Sequence, residues 1–140
     1  MSVTISAFER TLSTSREWLA ELARLGEFED ERQAYTVLRS VLQSLRDRLT
    51  VEEAAHLAAQ LPMLVKGMYF DGWAPRKNPV PLRTRESFLE TVAAGLGGPD
   101  VIDPEHASRA VFALLDRRLT DGEVRHVRDL LPQPIEDLWS

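Results

Sequence analysis

The chain has 140 residues, of which 44% are hydrophobic and 28% charged, with a net charge of −5 and no cysteine. That length supports a buried core without covalent staples, and the missing cysteines exclude disulfides, thiolate metal sites and a cysteine nucleophile. The start, MSVTISAFERTL, lacks a basic segment followed by an apolar run, and no apolar stretch reaches the roughly 18 residues of a membrane span. A soluble, cytoplasmic protein is therefore expected. Eight basic and ten acidic residues fall in 1–70, and nine and twelve in 71–140, so neither half is a basic arm.

From Ile5, apolar residues recur at Phe8, Leu12, Leu19, Leu22 and Leu25, widened by Trp18 and Ala23. This spacing predicts an amphipathic helix with that stripe facing inward. Gly26 is expected to end it as the residue that accepts a left-handed backbone. Asp30 reads as the N-cap of a second helix, whose Ala34, Val37, Leu38, Val41, Leu42 and Leu45 share one face. Thr50 and Glu53 form a T-x-x-E capping box, and Thr120 and Glu123 repeat it. The third helix turns Ala54, Leu57, Ala58 and Leu61 inward, and Pro62 opens a short fourth, Pro62–Tyr69.

Most of this unit is written again. A shift of 70 positions places Leu45, Arg48, Leu49, Thr50, Glu53, His56, Leu61 and Pro62 on Leu115, Arg118, Leu119, Thr120, Glu123, His126, Leu131 and Pro132 without a gap. The second copy restarts near Thr84 with Phe88, Leu89 and Val92 facing in, breaks at GLGGP (95–99), resumes after Asp103-Pro104, and ends in a short helix over Pro132–Trp139. No alternating β-branched run of strand length occurs. The predicted class is all-α, with about eight helices as two tandem, pseudo-symmetric four-helix units: a first repeat over 1–70, a Pro-rich connector over 71–83 and a second repeat over 84–140, expected to form one compact domain.

Two places carry candidate chemistry. Glu53-x-x-His56 and Glu123-x-x-His126 match the Glu-x-x-His pairs of di-metal helical bundles, which raises a metal-dependent oxidoreductase as an alternative. At about 100° per residue, however, Glu53 and His56 fall on the flank of the helix away from Ala54, Leu57 and Leu61. Glu53 is also explained as a cap, and Glu17 and Glu21 meet Ser87 and Thr91 in the second copy instead of acids. No metal and no cofactor are expected. His106 stands alone beside a helix start and reads as a solvent-exposed histidine.

The second place is the connector. Tyr69, Phe70 and Trp73 lie within five residues, and Arg76, Lys77, Arg83 and Arg85 follow without an acid. Aromatics beside cations suit an anionic partner, including single-stranded nucleic acid. The competing reading is that the aromatics fold back onto the core and the cations balance acidic helices. An acidic chain is repelled by phosphate backbones, which disfavours nucleic acid.

The run RDRLTVEEAAHLAAQLPMLVKGMYFDGW at 46–73, preceded by AYTVLRSVLQSL at 34–45, resembles the bacterial domain of unknown function 2267 family. The Trp18-Leu19 and Phe88-Leu89 pairs extend the resemblance over nearly the whole chain. It implies a small helical bacterial protein and supplies no catalytic residues to carry over. In the second copy MLVKGMYFDGW becomes QPIEDLWS, so whatever the fuller segment does occurs once per chain. With no reactive constellation in view, the expected function is a non-enzymatic protein-interaction or self-association module. Its candidate binding residues are Tyr69, Phe70, Trp73, Arg76 and Lys77, and its partner is a protein or a second copy, with no membrane involved.

Overall fold

A computed structural model describes residues 5–97 and 101–139. Among them lie eight α-helices and no strand: α1 Ser6–Gly26, α2 Glu31–Arg48, α3 Val51–Ala58, α4 Met63–Phe70, α5 Arg85–Gly95, α6 Pro104–Arg118, α7 Asp121–Leu130 and α8 Gln133–Glu136. Short 3-10 turns follow at Pro75–Lys77 and Asp137–Trp139.

Helix α2 is the centre of the bundle. Asp30 accepts the Gln33 amide at 2.8 Å and so starts it. Ala34, Val37, Leu38, Val41, Leu42 and Leu45, the predicted face, are fully buried. They pack against α1, α4, α5 and α6, so one hydrophobic cluster runs through both halves of the chain, from Trp18 and Leu22 to Phe112, Ile135 and Trp139. Helix α5 approaches α2 closely because Gly95 has no side chain: a Cβ there would lie 2.3 Å from Ser40 Oγ. Ser40 then donates to the Val92 carbonyl at 2.6 Å. The glycine of the GLGG segment is thus a helix contact as well as a stop; Gly98 and Pro99 lie outside the described residues.

Positions 70 apart carry the same backbone at the helix ends. Leu49 and Leu119, which close α2 and α6, have φ/ψ of −87°/161° and −98°/161°. Thr50 and Thr120 have −67°/164° and −68°/154°. Pro62 and Pro132 have −58°/154° and −57°/145°, just ahead of the helices they open, where a missing N–H costs nothing.

Four local expectations change. Glu27, not Gly26, takes the left-handed conformation after α1, with φ 53°. The Phe28 and Glu27 amides donate to the Ala23 and Arg24 carbonyls at 2.9 and 3.3 Å, a Schellman closure. Glycine is needed one position earlier because the Phe28 ring folds back to within 2.2 Å of where a Gly26 Cβ would stand. An L-residue in that conformation costs roughly 1 kcal/mol, so Glu27→Gly is expected to raise stability by about 1 kcal/mol in urea unfolding.

The inward stripe of α1 also holds only in part. Trp18 and Leu22 are buried, but Ile5, Phe8 and Leu12 are 50%, 61% and 50% exposed. These three residues lie on a face of α1 that its neighbours leave open, although the Leu64 amide donates to Thr11 Oγ1 at 3.3 Å beside it. The capping box closes at Thr50–Glu53, by bonds of 3.2 and 3.0 Å. At Thr120 only the Glu123 amide is bound, at 3.2 Å, because the Glu123 carboxylate is turned elsewhere. Finally, exposed His106 is tied down: a carbonyl only accepts, so His106 Nε2–H donates to the Gly26 carbonyl at 2.7 Å, and helix α6 caps α1.

Candidate functional site

The connector aromatics mostly face the protein. Tyr69 is fully buried and donates its hydroxyl to the Ala54 carbonyl at 2.9 Å; burial pushes its phenol well above the ordinary value. The Phe70 ring stacks on Trp73 with centroids 5.2 Å apart. Trp73 Nε1 donates to Asn78 Oδ1 at 2.8 Å, and Asn78 Nδ2 donates to the Arg46 and Leu49 carbonyls at 2.7 and 2.8 Å, closing the end of α2. The connector is therefore clamped to the end of α2 by the Asn78 side chain and by the Val80 N–H, which donates to the Asp47 carbonyl at 2.7 Å. Among the connector cations Arg76 and Lys77, in the 3-10 turn, and Arg83 are exposed. Of the other cations, Arg85 is paired with Glu105, whose carboxyl Arg85 and Arg109 hold below the usual range. The Arg83 charge and, above all, burial lower the Arg48 guanidinium.

The two Glu-x-x-His segments meet in part. His56 Nε2 lies 3.0 Å from Glu123 Oε2, and the His56 and His126 rings are 5.3 Å apart in an edge-to-face arrangement. Glu53 stays on its own cap, bound to the Thr50 amide. The Glu123 side chain is 8% exposed and its second oxygen is buried without a hydrogen bond, whereas His56 is 57% exposed. A carboxylate that orients an imidazole is half of a base-activated site, but no group of three histidine, aspartate or glutamate side chains among the described residues is placed to hold a metal.

A third arrangement was not predicted. Helices α1 and α4, with Tyr35 of α2, border a groove with a cavity of about 400 Å³ lined chiefly by Leu12, Leu19, Tyr35, Leu64, Val65 and Met68. Its polar lining is Ser15, Arg16 and Asp71. Arg39 holds Asp71 at 3.0 Å. Leu64 and Tyr35 are 48% and 43% exposed, so the apolar wall is open to a partner. The GMYFDGW segment divides its faces between two tasks. Tyr69, Phe70 and Trp73 pack inward, while Gly67, Met68 and Asp71 form the groove wall.

Three further residues hold this frame. Arg46, 5% exposed, donates from Nη1 to the Tyr69 and Asp71 carbonyls at 2.8 and 3.3 Å and so closes α4. Asn78 closes α2. Glu21 joins α1 to α6 by accepting from Arg117 and, at 2.6 Å, from Arg118. Burial alone would raise the Glu21 carboxyl, but the two arginines outweigh it and hold the group below its ordinary value near 4.5. A depressed carboxyl contributes stability above its unfolded pKa and loses it as pH falls through the folded one. Glu21→Gln is therefore expected to cost about 1–2 kcal/mol at neutral pH, limited by the solvent access of the arginines. Chemical unfolding at a series of pH values should show that gap closing in acid.

No helix among the described residues is long and apolar enough to cross a membrane. The model of a family described as "Uncharacterized conserved protein (DUF2267)" matches residues 15–138. No curated protein matches the chain.

Proposed function

Because the chain belongs to the DUF2267 family, a membership that brings no activity with it, we propose from its geometry that it is a non-catalytic interaction module whose α1–α4 groove receives a protein segment. The open apolar wall of Leu12, Leu19, Tyr35, Leu64, Val65 and Met68 carries this reading. Exposed apolar surface rimmed by polar groups is the mark of a recognition site. A groove between two helices suits an amphipathic helix presenting residues at i, i+3 or i+4, and i+7.

The unequal halves support one groove per chain. Helix α4 runs for eight residues and supplies a wall, whereas α8 has four and passes into a turn that brings Trp139 into the core. Duplication of an ancestral helical unit, with the fuller segment kept in one copy, accounts for the matching helix ends and for this difference. The connector then acts on binding indirectly, by fixing the end of α4 through Arg46 and Asn78.

Affinity capture from an extract of the native host tests the reading, with wild type compared against Leu64→Glu and Tyr35→Glu, both at exposed positions. A protein retained by wild type and lost with both variants is expected. An identical set of retained proteins for all three would contradict a role for the groove.

A further inference from the structure

Resting on the groove reading above, we propose that the occupant is helix α1 of a second copy of this chain, the two α1 helices crossing antiparallel about a two-fold axis at Leu12. The chain carries an unburied helix of the kind the groove accepts. Ile5, Phe8 and Leu12 are all at least half exposed. With Leu12 at 0° and about 100° per residue, Ile5, Phe8, Arg16 and Leu19 all fall within roughly 40° of it. Leu12, Arg16 and Leu19 line the groove, so the exposed stripe continues the groove wall along the same face of the same helix.

That continuity makes the surface self-complementary, as a two-fold interface requires. With Leu12 against its own copy, Ile5 of each chain lies over Leu19 of the other and Phe8 lies over the stem of Arg16. The apolar first turns of each α1 cover the groove of the other chain, and both exposed surfaces are buried at once.

The charges agree with this register. Glu9 and Arg16 are seven residues apart on one flank of α1 and border the same surface beside Leu12. Neither has an ion-pair partner within the chain among the described residues. In an antiparallel pair centred on Leu12, Glu9 of each copy faces Arg16 of the other, so two ion pairs form by symmetry. A parallel pair would instead set Glu9 against Glu9 and Arg16 against Arg16.

Sedimentation of the full chain over a wide concentration range tests the pairing, with circular dichroism to verify the fold of each variant. Wild type is expected to be a reversible dimer. Phe8→Glu, at a position that is 61% exposed, should be monomeric and equally helical. Glu9→Arg and Arg16→Glu should each weaken the dimer roughly tenfold, and the double reversal should restore it. A wild type that stays monomeric overturns the proposal, as does a dimer indifferent to Phe8→Glu or a double reversal no stronger than the single ones. If wild type is monomeric while groove-dependent capture persists, the second copy is ruled out and the interaction reading stands.

Discussion

Replacing Trp139 by alanine is expected to remove about 3–5 kcal/mol of stability, the range for deleting a large buried aromatic side chain. For a domain of this size that lowers the melting temperature by roughly 10–20 °C. Trp139 is 5% exposed, and its ring lies on Phe112 with centroids 4.5 Å apart and planes 4° from parallel. Its Nε1 donates to Asp116 Oδ1 at 2.7 Å. Alanine loses the stacking, the burial and the hydrogen bond and opens a cavity beside α6. Trp139→Phe separates these contributions: it keeps an aromatic face on Phe112 but leaves Asp116 without its donor, for an expected loss of about 1–2 kcal/mol. Equal losses for the two variants would mean that the ring contributes nothing beyond its N–H.

Arg46→Ala should cost about 3 kcal/mol. The guanidinium supplies the donors that satisfy the Tyr69 carbonyl at the end of α4 and, from Nε, bonds Asp47 at 2.8 Å. Removing it leaves the buried Tyr69 carbonyl without its side-chain donor and withdraws a cation from a helix C-terminus, whereas the Asp71 carbonyl keeps the Gln43 amide at 3.2 Å. Arg46→Met retains much of the packed volume and should lose nearly as much, which assigns the effect to the lost donors. Arg46→Lys should recover only a fraction, since a compact ammonium cannot serve the carbonyls and Asp47 with the spread of a planar fork. Urea unfolding of the three variants measures the series, and methionine as stable as wild type would refute it.

Positions 46 and 116, 70 apart in the sequence, carry different polar groups beside aromatic residues. Arg46 faces backbone carbonyls beside Tyr69; Asp116 accepts the indole of Trp139. Tyr69 and Trp139 are themselves 70 apart, and both are buried. Each half closes with an aromatic residue, and the polar partner differs with the group it must satisfy.

The helices and their starts were legible because their causes are local. Asp30, Thr50, Thr84, Asp103 and Thr120 each accept the amide three residues on, as their types and positions imply. The buried face of α2 was equally legible from its spacing. The groove was not. Ile5, Phe8 and Leu12 show the same periodicity as Leu19 and Leu22, and only the placement of α4 and α2 leaves the first three uncovered. Periodicity identifies an apolar face without saying how much of it a neighbour covers.

Long-range polar contacts were hidden for a related reason. Glu21 meets Arg117 and Arg118 nearly a hundred positions away, and Asn78 meets α2 around a cis Asn78–Pro79 bond. The helical wheel did place Glu53 and His56 on a flank of α3. What one helix could not reveal is that this flank meets α7, bringing His56 to Glu123 while Glu53 remains a cap. Among the connector residues, the aromatics followed the core-capping alternative, while the cations Arg76, Lys77 and Arg83 remain at the surface.

Methyl-resolved NMR of labelled protein, held dilute in buffer and then given either native-host extract or excess unlabelled chain, tests the central claim most directly. If the molecule acts by presenting its groove, the signals that shift or broaden will be those of Leu12, Leu19, Leu64, Val65 and Met68, with core methyls such as Val41 and Leu114 unchanged. Groove signals that stay in place while the His56 and His126 imidazole resonances move would contradict it and direct attention to the contact between α3 and α7.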